Sequence, residues 1–349
     1  MTATRDDVLA RVTGAYAGFF GTWVMNIGRR AGLFETLRER GPLGPAELAA
    51  ELDYEPRYVE TWCRGAYAFE LLEEEDGRFS LAEQVAPIML DPADPSFMGG
   101  RAEFFPLLTP DFETYPARMA DGGLFPFSAR PAEVVQTMQA AARPDARTAV
   151  EHVIPAEPEL EQRLRAGAKV LDAGCGAGYG LVAFAEAFPA CELVGIEIDE
   201  ASLAKAREIA GTRARVEALD VRALPWRDEF DLVFANISLS HTWGSGPEVF
   251  AAFHDVLKPG GYVICSDVPY PGRLEDLRSP AGRLFTGVSV YVSLLGFALL
   301  TPELLLGRLA EAGFEDSRIV DQPARTRMMA LARRPHPVRS RPRIGQTGA

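Results

Sequence analysis

At 349 residues the chain is long for one domain and comfortable for two, and its 47% hydrophobic content is ordinary for a globular protein. The charge balance is acidic, −13 overall, and the first 90 residues hold 15 acids against nine arginines, which works against a phosphate-backbone partner. Four cysteines (Cys63, Cys175, Cys191, Cys265) without C-x-x-C or paired spacing suggest neither a zinc site nor a disulfide framework. With no signal-peptide pattern and a longest apolar run (residues 287–300) too short to span a bilayer, a soluble cytoplasmic protein is expected.

Residues 1–90 read as a separate unit. Val8, Val12, Tyr16, Phe19, Phe20, Trp23 and Ile27 recur at helical spacing and predict a strongly apolar first helix, with a second over Ala31 to Arg38. Pro45 and the early acid Glu47 start a third helix, and Asp53 to Pro56 begin a fourth through Trp62 and Phe69. Leu71 to Leu81 predicts a hairpin turning at Asp76-Gly77. Helices followed by a hairpin give a winged-helix order and raise DNA binding as a rival function. The acids Glu73, Glu74, Glu75 and Asp76 on the wing argue against it, and no nucleic-acid partner is expected. The aromatic load of the first helix suits an interface; packing the unit's own core is the alternative.

Residues 91–165 connect two units. They open with the turn-rich Asp91 to Pro95 and carry six phenylalanines between Phe97 and Phe127. An aromatic-lined small-molecule pocket is one reading and core packing the other. Helices over Val134 to Ala142 and Arg147 to Val153 lead onward.

From residue 166 the pattern alternates strand and helix. Val170-Leu171 ends a strand, Asp172 follows, then Gly174, Gly176 and Gly178, then a helical run from Leu181. Strand, glycine turn and helix form a nucleotide-type site at the carboxyl edge of a parallel sheet, but G-x-G-x-G beside an acid suits a ligand with a positive group better than a pyrophosphate. Val194 to Asp199 is a second strand ending in acids, with Glu197 placed 19 residues after Gly178 to hold a ribose diol. Val216 to Val221 repeats the pattern with Asp220. Phe230 to Asn236 is a fourth strand, and Leu257 to Asp267 a turn into a fifth. Thr301-Pro302 caps a helix that stops at Gly313, and Phe314 to Val320 and Thr326 to Ala332 read as the last two strands. Residues 334–349, rich in Arg, Pro and Gly, are expected to be disordered.

D-A-G-C-G-A-G-Y-G, G-I-E, L-D-V, F-D-L-V-F-A-N and L-K-P-G-G-Y stand in one order, and over about residues 150–333 the chain resembles the class I S-adenosylmethionine-dependent methyltransferases. With its N-terminal unit it resembles the small-molecule O-methyltransferases of plants and actinobacteria. The resemblance implies an α/β architecture: a Rossmann-like seven-stranded methyltransferase domain over 166–333, preceded by a mainly helical winged-helix dimerisation domain over 1–90 and a helical acceptor-pocket region over 91–165. It implies a homodimer, S-adenosylmethionine as methyl donor, and a small acceptor, apolar or aromatic in view of the run after Pro269. The backbone at Gly174, Gly176 and Gly178 should approach the methionine part, Asp172 its ammonium, Glu197 the ribose hydroxyls, Asp220 the adenine amino group, Val221 and Ile198 the ring, and Asn236 the methionine end. No membrane partner and no metal are expected.

In the family an H-D-W motif after the fourth strand supplies a general base. Here the motif is Ser240-His241-Thr242-Trp243, so the aspartate is missing and the histidine matches. A phenol, with pKa about 10, is mostly protonated at neutral pH, and an imidazole can take its proton. His241 is therefore the expected base, with a donor-contacting or structural histidine as the alternative. His152, His254 and His336 rank lower, and Asp267, Glu275 and Asp276 are candidates to orient it. Rival functions are methyl transfer to nitrogen or carbon, other chemistry by a donor-binding enzyme, and transcriptional regulation.

Overall fold

The computed structural model describes residues 3–125, 130–239, 246–321 and 327–337. Four helices, α1 (Arg5–Arg30), α2 (Leu33–Arg40), α3 (Pro45–Leu52) and α4 (Pro56–Ala68), lead into a hairpin of β1 (Leu72–Glu75) and β2 (Arg78–Leu81). Thr4 and Asp7 close a capping box at the start of α1. Asp76 and Gly77, both at positive φ, make the tight hairpin turn. The core of this unit is Phe34, Leu37, Leu48, Val59, Trp62 and Phe79. At α1 the contact is made through glycine: a Cβ on Gly28 would stand 2.4 Å from the Phe34 ring and 2.6 Å from Trp62. The opposite face of α1 is bare. Val8, Leu9, Val12, Tyr16, Phe19, Phe20, Trp23 and Ile27 are all exposed, so these residues do not pack the unit's own core.

The second unit is a seven-stranded sheet of β3 (Lys169–Ala173), β4 (Glu192–Glu197), β5 (Arg215–Ala218), β6 (Phe230–Asn236), β7 (Leu257–Asp267), β8 (Glu315–Ile319) and β9 (Met328–Arg333), ordered β5-β4-β3-β6-β7-β9-β8. The first five strands in that order run parallel, and β9 is antiparallel to both β7 and β8. The central strands are buried on both faces, which is why they read as continuous apolar runs. Strand order reverses at β3, between β4 and β6, and a crevice opens beyond their carboxyl ends.

Several boundaries differ from the sequence expectation, two of them by more than a shift of a helix end. β5 stops at Ala218, which leaves Asp220 and Val221 in the following turn. The stretch expected to be disordered from residue 334 is ordered at its start: Arg334 donates through its backbone N–H to Gly261 O (2.8 Å), accepts from Gly260 N (2.9 Å), and carries His336 over Gly260. Residues 338–349 lie outside the described residues.

Between the units, the helix Gly99–Phe104 packs on the helix Ala132–Ala140, and Arg143–Thr148 runs into a π-helical turn, Ala149–Val153. Phe104, Phe105 and Phe125 pack against Leu108, Val268, Phe285, Tyr291 and Val292, so connector aromatics and the segment after β7 share one cluster. Phe127 lies outside the described residues. No helix among the described residues is long and apolar enough to cross a membrane.

Candidate functional site

Beyond the carboxyl ends of β3, β4 and β6 lies a cavity of about 720 Å³. Its floor is the turn after β3. Gly174, Gly176 and Gly178 have φ of 77, 52 and 83°, a left-handed backbone that side chains rarely tolerate. Space is short as well: a Cβ would stand 2.7 Å from Ser238 Cβ at Gly174 and 3.1 Å from Ala206 Cα at Gly178. Gly180, a fourth glycine without an assigned role in the sequence, leaves room for the Asp172 carboxylate; a Cβ there would stand 2.4 Å from Oδ2.

Asp172 is 2% exposed, and its Oδ2 has no hydrogen-bond partner. Burial, and then the Glu197 charge, push its carboxyl up to about 7. A buried acid with an idle oxygen on a cavity wall asks for a cation or a donor. Glu197 is held differently. Its Oε2 accepts from Gly176 N (3.0 Å), and its Oε1 from Ile198 N (2.7 Å) and Asp199 N (2.9 Å). Three amides of the two flanking turns fix this carboxylate on the cavity wall and leave part of its acceptor capacity free. Asp199 caps the next helix by accepting from Ser202 N (2.8 Å).

The cavity wall also holds Ile198, Asp220, Val221 and Asn236. Asn236 Oδ1 is buried and unpartnered. Asp220 departs from its expected role as a ready acceptor. Arg222 occupies both its oxygens, through the backbone N–H (2.9 Å), through Nε (2.9 and 3.0 Å) and through an Nη2 bond. That hydrogen bonding holds the Asp220 carboxyl below its usual range. The pair is open to solvent, where such pairs hold weakly, so a ligand can displace Arg222 at small cost.

Several wall residues belong to none of the sequence motifs: Met138, Gln139, Ala142 and Ala146 from the connector, Ser202 and Phe297. The connector residues recur at helical spacing, but nothing in their types marked a site. Ile237 is the strained point. A β-branched residue at φ 53°, it turns the chain out of β6 with its N–H bonded to Ser266 O (2.7 Å), and Ser238 Oγ then donates to Ala173 O (2.9 Å).

His241, Thr242 and Trp243 lie outside the described residues. The other histidines are not on the cavity wall: His254 packs edge-on against Phe314 (5.3 Å), His336 lies over Gly260, and His152 sits on the π-helical turn. Of the three carboxylates considered as orienting partners, Glu275 pairs with Arg273 at the surface and Asp276 is exposed. Asp267 is wholly buried at the end of β7, one position beyond the Asn236–Ser266 register pair.

Residues 170–261 match the model of a family described as a methyltransferase domain. The chain is 32% identical over 157 residues to a phosphoethanolamine N-methyltransferase of Triticum aestivum, covering 44% of this chain and 29% of that protein. It is 32% identical over 176 residues to 27-O-demethylrifamycin SV methyltransferase of Amycolatopsis mediterranei, covering 47% and 60%. The chain thus spans about three tenths of the length of the plant relatives it matches. Among solved structures, human N-acetylserotonin methyltransferase in complex with SAM shares the fold over 96% of this chain and all of that one, with TM-score 0.71 and 19% identity.

Proposed function

We propose that the protein uses the methyltransferase domain it carries to transfer a methyl group from S-adenosylmethionine to a small, apolar or aromatic acceptor at oxygen. The observation that carries the reading is Asp172: a buried carboxylate with an idle oxygen, beside a glycine turn that admits close backbone approach. The donor's α-ammonium is the partner that oxygen lacks. Glu197, fixed by three amides, accepts the ribose hydroxyls, and Ile198, Leu219 and Val221 flank the base. When bound, S-adenosylmethionine supplies an electrophilic methyl group and its own leaving group. The protein aligns the acceptor and removes one proton. We assign that proton to His241, which follows β6 by five residues, and its orientation to Asp267, the buried carboxylate at the neighbouring strand end. The aromatic cluster around Tyr291, next to Phe297 on the cavity wall, supports an apolar acceptor. The bare face of α1 supports a homodimer joined through the N-terminal unit. A nitrogen acceptor is the second reading, favoured by the partial match to phosphoethanolamine N-methyltransferases, and it asks less of a base.

Calorimetry with S-adenosylhomocysteine tests the donor site. Wild type is expected to bind, and Glu197→Ala to bind at least about a hundredfold more weakly, since each bond to a charged group is worth about 1.5–3 kcal/mol. Equal affinity in the two proteins would remove the ribose assignment.

A further inference from the structure

Gln139 lies on the connector helix Ala132–Ala140, outside every motif of the sheet, yet its side chain rests on the glycine turn. A Cβ on Gly176 would stand 3.2 Å from its Nε2 and 3.3 Å from its Cδ. Its Nε2 donates to Ser202 Oγ (2.7 Å), and Ser202 Oγ donates to Asp199 Oδ2 (2.7 Å). That chain fixes which way the amide faces. A hydroxyl has one hydrogen; Ser202 gives it to Asp199, so toward Gln139 it can only accept. The amide nitrogen must face Ser202, and Oε1 is turned the other way. Oε1 is buried, has no hydrogen-bond partner, and belongs to a residue on the cavity wall. An orphaned buried acceptor is costly unless something donates to it.

The donor groups of the proposed ligand are its ammonium, its adenine amino group and its two ribose hydroxyls. Gln139 sits at the ribose end: it covers Gly176, whose N–H anchors Glu197, and its hydrogen-bond chain ends on Asp199, whose N–H holds the same carboxylate. We infer that Gln139 Oε1 accepts a hydrogen bond from one ribose hydroxyl of the methyl donor, so that the connector and β4 hold the diol together. This rests on the donor reading above and makes Gln139 a further binding residue of that site.

The test uses full-length protein, calorimetry, and three probes: 5′-methylthioadenosine, which keeps base and ribose but lacks the amino-acid end, and its 2′-deoxy and 3′-deoxy counterparts. Gln139→Met keeps length and helix propensity while removing the acceptor. The expected result is a loss of about 3- to 10-fold for Gln139→Met on methylthioadenosine, with little or no loss on whichever deoxy probe lacks the contacted hydroxyl. A merely structural role would weaken all three probes alike, and that outcome overturns the inference. So does unchanged affinity for methylthioadenosine. Gln139→Ala, read in the same cycle, serves if Gln139→Met does not fold. Failure of wild type to bind methylthioadenosine and S-adenosylhomocysteine alike would instead overturn the donor reading itself.

Discussion

A carboxylate pushed up to about 7 by burial ties ligand binding to pH. Native Asp172 holds its proton more tightly than the unfolded chain does. Stability of the ligand-free protein is therefore greatest where Asp172 is protonated and declines as pH rises through about 4 to 7. A cationic group on the idle oxygen reverses this, because it pairs with the charged form. Asp172→Asn should accordingly melt a few degrees above wild type at pH 8, show a smaller difference at pH 5, and bind S-adenosylhomocysteine at least tenfold more weakly. Melting curves at the two pH values, with calorimetry at pH 8, check this; a pH-independent difference in melting would detach Asp172 from the charge argument. The acid itself was legible in the sequence because it sits between a strand end and a glycine turn, where the backbone forces residue types. Gln139 was not, because a helix wall residue is placed by tertiary packing and no local pattern marks it. The capture of Asp220 by Arg222 was hidden for another reason: it depends on how a turn two residues long closes after β5 ends at Ala218.

Helix α1 shows what helical periodicity can and cannot say. The spacing of Val8 to Ile27 identified the helix and its apolar stripe, and the structure places that stripe in solvent while Gly21, Gly28, Asn26, Val24 and Met25 face inward. The direction was not legible, since an apolar stripe faces a core and an interface with the same pattern. Exposed aromatics over several turns are costly in water and define the surface at which a second copy would join. Phe20→Glu combined with Tyr16→Glu, both at exposed positions, should leave folding intact and shift the protein from twice the mass of the 38.0 kDa chain to a single chain in sedimentation. A wild type that already sediments as a monomer at micromolar concentration would exclude the interface.

Across the whole molecule the connector is the part that joins both units to the cavity. Its helix Ala132–Ala140 carries Gln139 onto the glycine turn, while the next residue, Ala141, meets the helix Gly99–Phe104: a Cβ on Gly100 would stand 2.8 Å from Ala141 Cα. Nothing flexible is available to yield there, so Gly100→Ala must shift one helix against the other. We expect a lower melting temperature together with a several-fold loss of S-adenosylhomocysteine affinity, although Gly100 is not on the cavity wall. Lower stability with unchanged affinity would show that the connector moves independently of the site. At this scale the succession of strands was legible because each parallel strand has an acid or polar residue at its carboxyl end or within two residues of it. The packing between connector and sheet was not, because it is settled by small residues, Gly100 and Ala141 among them, that carry no periodic signal.

Ile237 bears on how this protein would respond to selection for heat resistance. A β-branched residue held at φ 53° costs on the order of 1–3 kcal/mol, so glycine or asparagine at this position is an immediate route to a more durable protein. The turn it fixes delivers Ser238 to the glycine loop, where Ser238 Oγ donates to Ala173 O. A screen that rewarded only survival would find that substitution early and would return a sturdier protein with a loosened contact between Ser238 and the glycine loop. Thermal hardening of this fold is better sought on the outer faces of the sheet helices than at the point where the chain leaves β6.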